Sequence, residues 1–402
     1  MQIFEVGGAV RDSLLGHRVK DRDWVVVGGT AQALLERGFQ QVGANFPVFL
    51  HPDTKEEYAL ARTERKTAPG YQGFAVSFEP EVTLEDDLAR RDLTINAMAR
   101  GEDGEIIDPF DGQSDLHHGV LRHVTNAFVE DPLRILRVAR FAARFGFRVA
   151  DETHHLMQQM AASGELETLV AERVWTETSR ALMERYPDRF ISTLRDCNAL
   201  AVVFPEIDQL FGVPHSRQFH PELDAGEYLL SRLRDCVEYN AALEVRFAVF
   251  AHDLGKGETP VASLPGHQSH EGSSIELIDA LAKRLKVPTA LREIAVLAAA
   301  HHRQIHHARE LNASTMLELF EKTDALRRPD RFRVITQACE IARAIKSVSD
   351  GEDPPSAYLA EALALAQGVQ LSENELLSLK GPEIAARLRS LRLAALSGMR
   401  NE

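Results

Sequence analysis

Two aspartates and a pair of glycines near the N-terminus carry the strongest chemical signal in this 402-residue sequence. Asp21 and Asp23 lie two apart at the head of the apolar run Trp24–Val27. In a strand, residues i and i+2 point to one side. Two carboxylates so placed can share hard, oxygen-seeking cations such as Mg²⁺. A pair of such ions about 3.5–4 Å apart is a recurring device for in-line nucleotidyl transfer. Upstream, Gly7-Gly8 lets the backbone turn sharply and approach a phosphate with no Cβ in the way. Arg11 follows in the first turn of a predicted helix over Val10–Leu15, where a guanidinium would meet the same phosphate. Each feature alone is commonplace. In the order strand, glycine pair, helix, Asp-x-Asp, strand, they predict a site for a nucleoside triphosphate and divalent metal.

Two further clusters could serve that site. Arg90-Arg91-Asp92 offers guanidiniums to triphosphate oxygens and a carboxylate to ribose hydroxyls. The preceding acids, Glu85–Asp87, suit a helix N-terminus. Glu130–Arg148 then reads as one helix started by Asp131-Pro132. At about 100° per residue, Arg134, Arg137, Arg140, Arg144 and Arg148 share one side, with apolar residues elsewhere. A cationic stripe with no acid in it predicts a polyanion reader. A separate group lies far downstream, where an apolar helix delivers His252-Asp253 and a Gly-Lys-Gly turn follows. His267, His270 and His301-His302 come next. Such a His/Asp set can hold a divalent metal and activate water for phosphoester hydrolysis. Its plain alternative is a set of polar histidines buried in a helical bundle.

The elements that must position these groups alternate at first and are helical afterwards. Strands are expected at Gln2–Val6, Phe39–Leu50 and Glu56–Arg62, with a helix over Ala31–Arg37. Thr63–Gly73 reads as a mobile loop close to the site. Ile106–Leu116 reads as scaffolding that closes the first domain, and Glu165–Arg180 as an amphipathic helix with Trp175 in the core. Prolines 205, 214 and 221 mark a domain junction, and the tail from Arg331 is helical with a flexible break at Ser347–Ser356. The length calls for several cores. Three scattered cysteines fit a reducing cytoplasm and no disulfide framework. The sequence predicts neither a membrane span nor a secretory signal. A net charge of −14 argues against indiscriminate nucleic-acid binding over the whole surface, leaving a local basic groove.

GGAVRD with LLG and DRD, RRDLTINAM, IDPFDG and EDPLRILRVARFAARFGF occur in an order that resembles bacterial class II tRNA nucleotidyltransferases carrying an HD domain. ERVW and FPEID fit the same pattern, and the likeness runs from residue 1 to roughly residue 330. The resemblance implies an α+β fold: a nucleotidyltransferase head with a small mixed β-sheet over residues 1–125, then all-α neck (126–224), HD (225–330) and tail (331–402) regions. It implies that Asp21 and Asp23 hold Mg²⁺ and are catalytic. Gly8, Arg11, Arg91 and Asp92 would contact the nucleotide, with Arg137 and Arg140 as further contacts. Asp131 and Arg134 would form a protein template for the Watson–Crick edge of CTP or ATP. An aspartate there can accept from the exocyclic amine that C and A share. Thr63–Gly73 would correspond to the segment that helps switch from C to A. The implied partners are tRNA, CTP and ATP, with monomer and homodimer both open.

At the HD region the resemblance implies a second divalent metal, such as Ni²⁺, held by His252, Asp253, His270 and His301. Phosphatase, 2′-nucleotidase or 2′,3′-cyclic phosphodiesterase activity would follow. The sequence departs from the family there, because Tyr228 stands where a histidine is usual. The activity the resemblance implies is addition of CCA to the 3′ end of tRNA from CTP and ATP without a nucleic-acid template, and three readings compete with it: a poly(A) polymerase, a partial CC- or A-adding enzyme, and a metal-dependent HD phosphohydrolase whose head merely binds nucleotide.

Overall fold

Strand β1 (Gln2–Val6) runs antiparallel to β2 (Asp23–Val27), with Val6 opposite Asp23. Between them the chain turns at Gly7, whose φ of +69° is costly for a residue with a Cβ, and enters helix α1 (Gly8–Leu14). The computed structural model describes all residues except 20, 43–47, 67–73, 216–223, 266, 268–269, 344–353 and 400–402. It divides into two units, Met1–Phe204 and Pro205–Glu402.

The first unit adds α2 (Ala31–Glu36), β3 (Gln40–Val42), β4 (Val48–Leu50) and β5 (Glu57–Leu60). With β8 (Ala99–Arg100) and β9 (Ile106–Ile107), these strands form a seven-stranded mixed sheet in the order β3-β4-β5-β2-β1-β8-β9. Only the β2–β5 pair is parallel. Period-two alternation gives the sheet two apolar faces. Val25 packs with Val6, Ala61, Leu88 and Ala97, while Val26 packs with Leu34, Phe49, Tyr58 and Leu60. Asp23, two residues before Val25, therefore projects to the first of these faces.

The stretch expected to be a loop at Thr63–Gly73 begins as a strand. Here β6 (Thr63–Lys66) pairs antiparallel with β7 (Phe74–Ser77), so the two form a hairpin. The backbone pairing with β7 makes this charged stretch a strand. The rest of the expected loop, 67–73, lies outside the described residues. Helices α3 (Leu84–Ala89) and α4 (Gly112–His118) complete the head. A capping box between Thr83 and Asp86 starts α3.

Helix α5 (Leu133–Phe145) is shorter than the sequence predicts. It stops at Gly146, which takes φ +72°. Arg148 consequently leaves the helical stripe and sits exposed on β11 (Arg148–Val149), parallel to β10 (Val120–Leu121). After α6 (Asp151–Ala162), helices α7 (Ala171–Leu182) and α8 (Pro187–Asp196) pack against α5. Trp175 on α7 is half-buried and not a core residue, since the buried face is formed by Val174, Glu177, Thr178, Ala181 and Leu182. The short α9 (Leu200–Val203) ends the unit, which divides from the next within the FPEID segment.

Among its described residues the second unit is helical. It comprises α10 (Pro205–Asp208), α11 (Ala225–Glu238), α12 (Leu243–Ala251), α13 (His270–Leu285), α14 (Thr289–His306), α15 (Ala313–Lys322), α16 (Pro329–Arg343), α17 (Pro355–Gly368), α18 (Glu373–Ser378) and α19 (Pro382–Gly398). Helix α12 is buried from Val245 to Ala251 and packs against α11, α14 and α16. Most of the tail break predicted at Ser347–Ser356 lies outside the described residues. Among the described residues no helix is long and apolar enough to cross a membrane.

Candidate active site

A cavity of about 910 Å³ in the first unit gathers the head residues and α5. Gly7, Gly8, Arg11, Asp21, Asp23, Arg91, Asp92, Asp131, Arg134, Arg137 and Arg140 all line it. The residues expected to hold metal and nucleotide are thus in one place, while Arg148 of the expected stripe lies outside it. Strand β2 begins at Asp23, so the period-two argument covers only one of the two aspartates. Asp21 lies just ahead of the strand and reaches the same cavity. Desolvation in the concave lining pushes the Asp23 carboxyl up, Arg91 pulls it down, and Asp21 pushes it up again. Two mutually repelling carboxylates on one wall fit a divalent cation, which would relieve that repulsion.

The arginines do not stand free. Burial pushes the Arg11 guanidinium below its ordinary range, against the pull of Asp12. Its Nη2 lies 2.7 Å from Asp12 Oδ1, and its Nη1 donates to Asn96 Oδ1. Arg91 donates to Asp87 Oδ2 at 3.1 Å, and Arg90 to Asp87 Oδ1 at 2.8 Å. Asp87 lies in the first turn of α3, as expected, and is also fully buried, a clamp that aims both guanidiniums. Burial alone would raise the Asp92 carboxyl, but Arg137, the Asn96 amide and Arg134 hold it well below the usual carboxylate range. Arg137 Nε donates to Asp92 Oδ2 at 2.7 Å, and Asn96 Nδ2 to Oδ1 at 3.0 Å.

Asp131 accepts from the Leu133 amide at 3.0 Å through Oδ1, as expected of a helix-starting residue. Its Oδ2 accepts from Arg173 at 2.8 Å. Arg134 donates to the Ala127 and Arg90 carbonyls. The stripe was expected to contain no acid, and α7 supplies acids from outside. Glu177 pairs with the buried Arg140, and Glu184 lies 4.0 Å from it. Arg173, Glu177 and Arg180 recur on α7 at i, i+4 and i+7, a helical face of alternating sign, and Glu184 follows two residues past its end. That period is legible in the sequence, but it is masked where ERVW is read only for its apolar residues.

In the second unit a smaller cluster forms where α12 ends. Asp253 Oδ1 lies 3.0 Å from His270 Nε2, and Asp253 Oδ2 lies 3.2 Å from His252 Nε2 and 2.6 Å from Lys256 Nζ. Asp253, His270 and His302 offer ligand atoms within 4.8 Å of one another. His301, the residue expected there, turns instead to Gln304 at 2.8 Å. Adjacent helical residues point about 100° apart, and it is His302, one turn from the buried Ala298 and Ile305, that faces Asp253. Burial, against the pull of Asp253, pushes the His302 imidazole down to about 4, so it is neutral at pH 7 and available as a ligand. His267 bonds to Thr259 and the Pro214 carbonyl, outside the set. Tyr228 is buried on α11, with its hydroxyl donating to the Ala342 carbonyl and its ring 5.6 Å from Lys256 Nζ. It supplies packing where a histidine would supply a ligand.

Three family models match the chain. They are the poly A polymerase head domain over residues 3–122, the probable RNA and SrmB-binding site of polymerase A over 146–211, and the HD domain over 229–344. A multifunctional CCA protein from Thioalkalivibrio sulfidiphilus is 52% identical over 406 residues, covering 100% of this chain and 99% of that one. The chain belongs to the multifunctional CCA protein family. The fold is likewise that of solved CCA-adding enzymes. One from Bacillus stearothermophilus in complex with CTP matches with TM-score 0.66 and 22% identity over 99% of this chain and 89% of that one. One from Thermotoga maritima complexed with tRNA matches with TM-score 0.59 and 21% identity over 99% and 87%. Membership in the CCA protein family makes the chain an enzyme with nucleotidyltransferase and HD parts, both of which imply divalent metal use.

Proposed function

We propose that this protein adds CCA to the 3′ end of tRNA from CTP and ATP, choosing each nucleotide with side chains and no nucleic-acid template. One observation carries the reading. The carboxylates that suit a metal and the pair that suits a base edge, Asp131 and Arg134, line a single cavity with the arginines between them. Asp21 and Asp23 would hold Mg²⁺, which when bound activates the attacking 3′-hydroxyl and neutralises the leaving pyrophosphate. The Gly7-Gly8 turn lets the triphosphate approach the backbone, and Arg91, aimed by Asp87, faces its oxygens. Asp131 accepts from the exocyclic amine of C or A, and Arg134 donates to a neighbouring ring acceptor. G and U present a carbonyl at the amine position, which the carboxylate repels. Asp131 and Arg134 are themselves fixed by Arg173 and by backbone carbonyls, so they arrive pre-oriented.

The test is product length. A tRNA lacking its CCA end, incubated with labelled CTP and ATP, should gain three nucleotides and stop. Long A tails would make the enzyme a poly(A) polymerase, and addition of only CC or only A would make it a partial enzyme.

A second reading rests on Asp253, His270 and His302. These residues would hold a divalent ion such as Ni²⁺, with His252 and Lys256 on the remaining face of Asp253, for phosphoester hydrolysis. Hydrolysis of a 2′,3′-cyclic nucleotide that vanishes in His270→Ala and survives in Asp21→Ala would assign it to this cluster.

A further inference from the structure

A closed ring of side chains runs along the wall of the nucleotide cavity. From α5, Arg144 Nη2 meets Asp12 Oδ2 at 2.9 Å, and Asp12 Oδ1 holds Arg11 Nη2 at 2.7 Å. Arg11 donates to Asn96, Asn96 donates to Asp92 at 3.0 Å, and Arg137 of α5 closes the ring on Asp92 at 2.7 Å. Arg137 and Arg144 are seven residues apart, two turns or about 10.5 Å along the helix. The ring thus ties α5 at two separated points to α1, the helix that follows the Gly7 turn. Arg11, Asn96 and Asp92 are buried. The Arg11 guanidinium also lies 5.2 Å and 5.0 Å from the ring centroids of Phe141 and Phe145. This geometry is wasteful for mere stability, because buried charge pairs gain little over apolar packing. It is well suited to fixing one helix against another.

We propose that Asp12 and Arg144 are positioning residues for nucleotide selection. Their ion pair sets the distance between the phosphate-facing turn at Gly7–Arg11 and the base-facing residues Asp131 and Arg134 at the other end of α5. The proposal rests on the function proposed above. If triphosphate and base edge are held by two different elements, selection depends on a fixed span between them. Without the pair, α5 stays seated through Arg137–Asp92, Arg140–Glu177 and its packing on α7 and α8, while the α1 turn loses its direct tie to it, so the phosphate end of the span is free to shift. Bases then reach Asp131 and Arg134 in more than one register, and the wrong edge is penalised less.

The experiment is steady-state addition to a tRNA lacking its CCA end, comparing CTP with UTP in the wild type, Arg144→Met, Arg144→Lys and Asp12→Asn. Displacements of about 1 Å cost catalytic geometry up to roughly 100-fold. The expected result for Arg144→Met and Asp12→Asn is a rise in KM for CTP and a fall in the CTP-over-UTP preference of roughly tenfold each, with kcat falling less. Arg144→Lys, which keeps the charge, should recover most of the preference. A preference equal to wild type in Arg144→Met, with only a lowered unfolding temperature, would overturn the proposal, as would failure of Arg144→Lys to recover any. If Arg144→Met does not fold, Asp12→Asn and Arg144→Lys give the same readouts. If the wild type adds no nucleotide to tRNA, the functional reading itself has failed. Calorimetric CTP binding then decides the clasp: weakened binding in the variants supports it and unchanged binding overturns it.

Discussion

Arg173 of α7 reaches Asp131 at the start of α5, with Nη2 2.8 Å from Oδ2. A residue of one helix thereby aims the carboxylate that we assign to base recognition. Arg173→Met should remove the hydrogen bond to Oδ2 and leave that carboxylate held through Oδ1 by the Leu133 amide. The expected outcome is a rise of about tenfold in KM for both CTP and ATP, with a smaller change in kcat, as steady-state addition would show.

Glu177 is the buried partner of Arg140 and lies 3.9 Å from Arg137. Removing one side of a buried ion pair strands the other in a poor solvent and costs about 3–5 kcal/mol. Glu177→Leu should therefore lower the urea midpoint substantially. An exposed pair such as Arg333–Asp330 offers the contrast: Asp330→Ala should change stability by no more than about 1 kcal/mol.

Acid should loosen the head through its buried carboxylates. Arg137, Asn96 and Arg134 hold the Asp92 carboxyl low against its burial, and Arg91 and Arg90 do the same for Asp87. A carboxyl depressed in the folded state adds stability that is complete above its unfolded pKa, about 3.9, and is lost as pH falls through the folded value. The share of the stability that these two carboxylates contribute should hold above about pH 4 and be lost below it. In Asp92→Asn the protein should be less stable at neutral pH, with a shallower acid limb. A wild-type and variant pair with parallel acid limbs would exclude Asp92 as a source of the slope.

Metal binding in the second unit should depend on His302 and not on His301. Cobalt titrated into the apo protein gives an absorption signature that reads ligation directly. His302→Ala should weaken binding by about 10- to 100-fold, and His301→Ala should stay within about threefold of wild type. The reverse order would place the ligand set one residue away.

Much of the site was legible because its residues are close in sequence and chemically distinctive. The Gly7 turn, Asp23 at the head of β2, and the arginines of α5 follow from glycine conformation, period two and period 3.6. What was not legible came from distant partners. Nothing near Arg140 announces Glu177, 37 residues on, and the acid-free stripe holds only when α5 is considered alone. Asp87 sits in an acidic run that suits a helix start, yet burial against Arg90 and Arg91 decides its role. Arg148 left the stripe because Gly146 ended the helix two residues earlier. His301 and His302 are adjacent and both buried, and only the packing of α14 shows which one faces Asp253.

The most direct measurement is a crystal of the protein soaked with CTP and Mg²⁺. The phosphates should lie against Asp21 and Asp23, and the cytosine edge should face Asp131 and Arg134. A CTP bound away from those aspartates, or one whose base edge faces only solvent, would contradict the account.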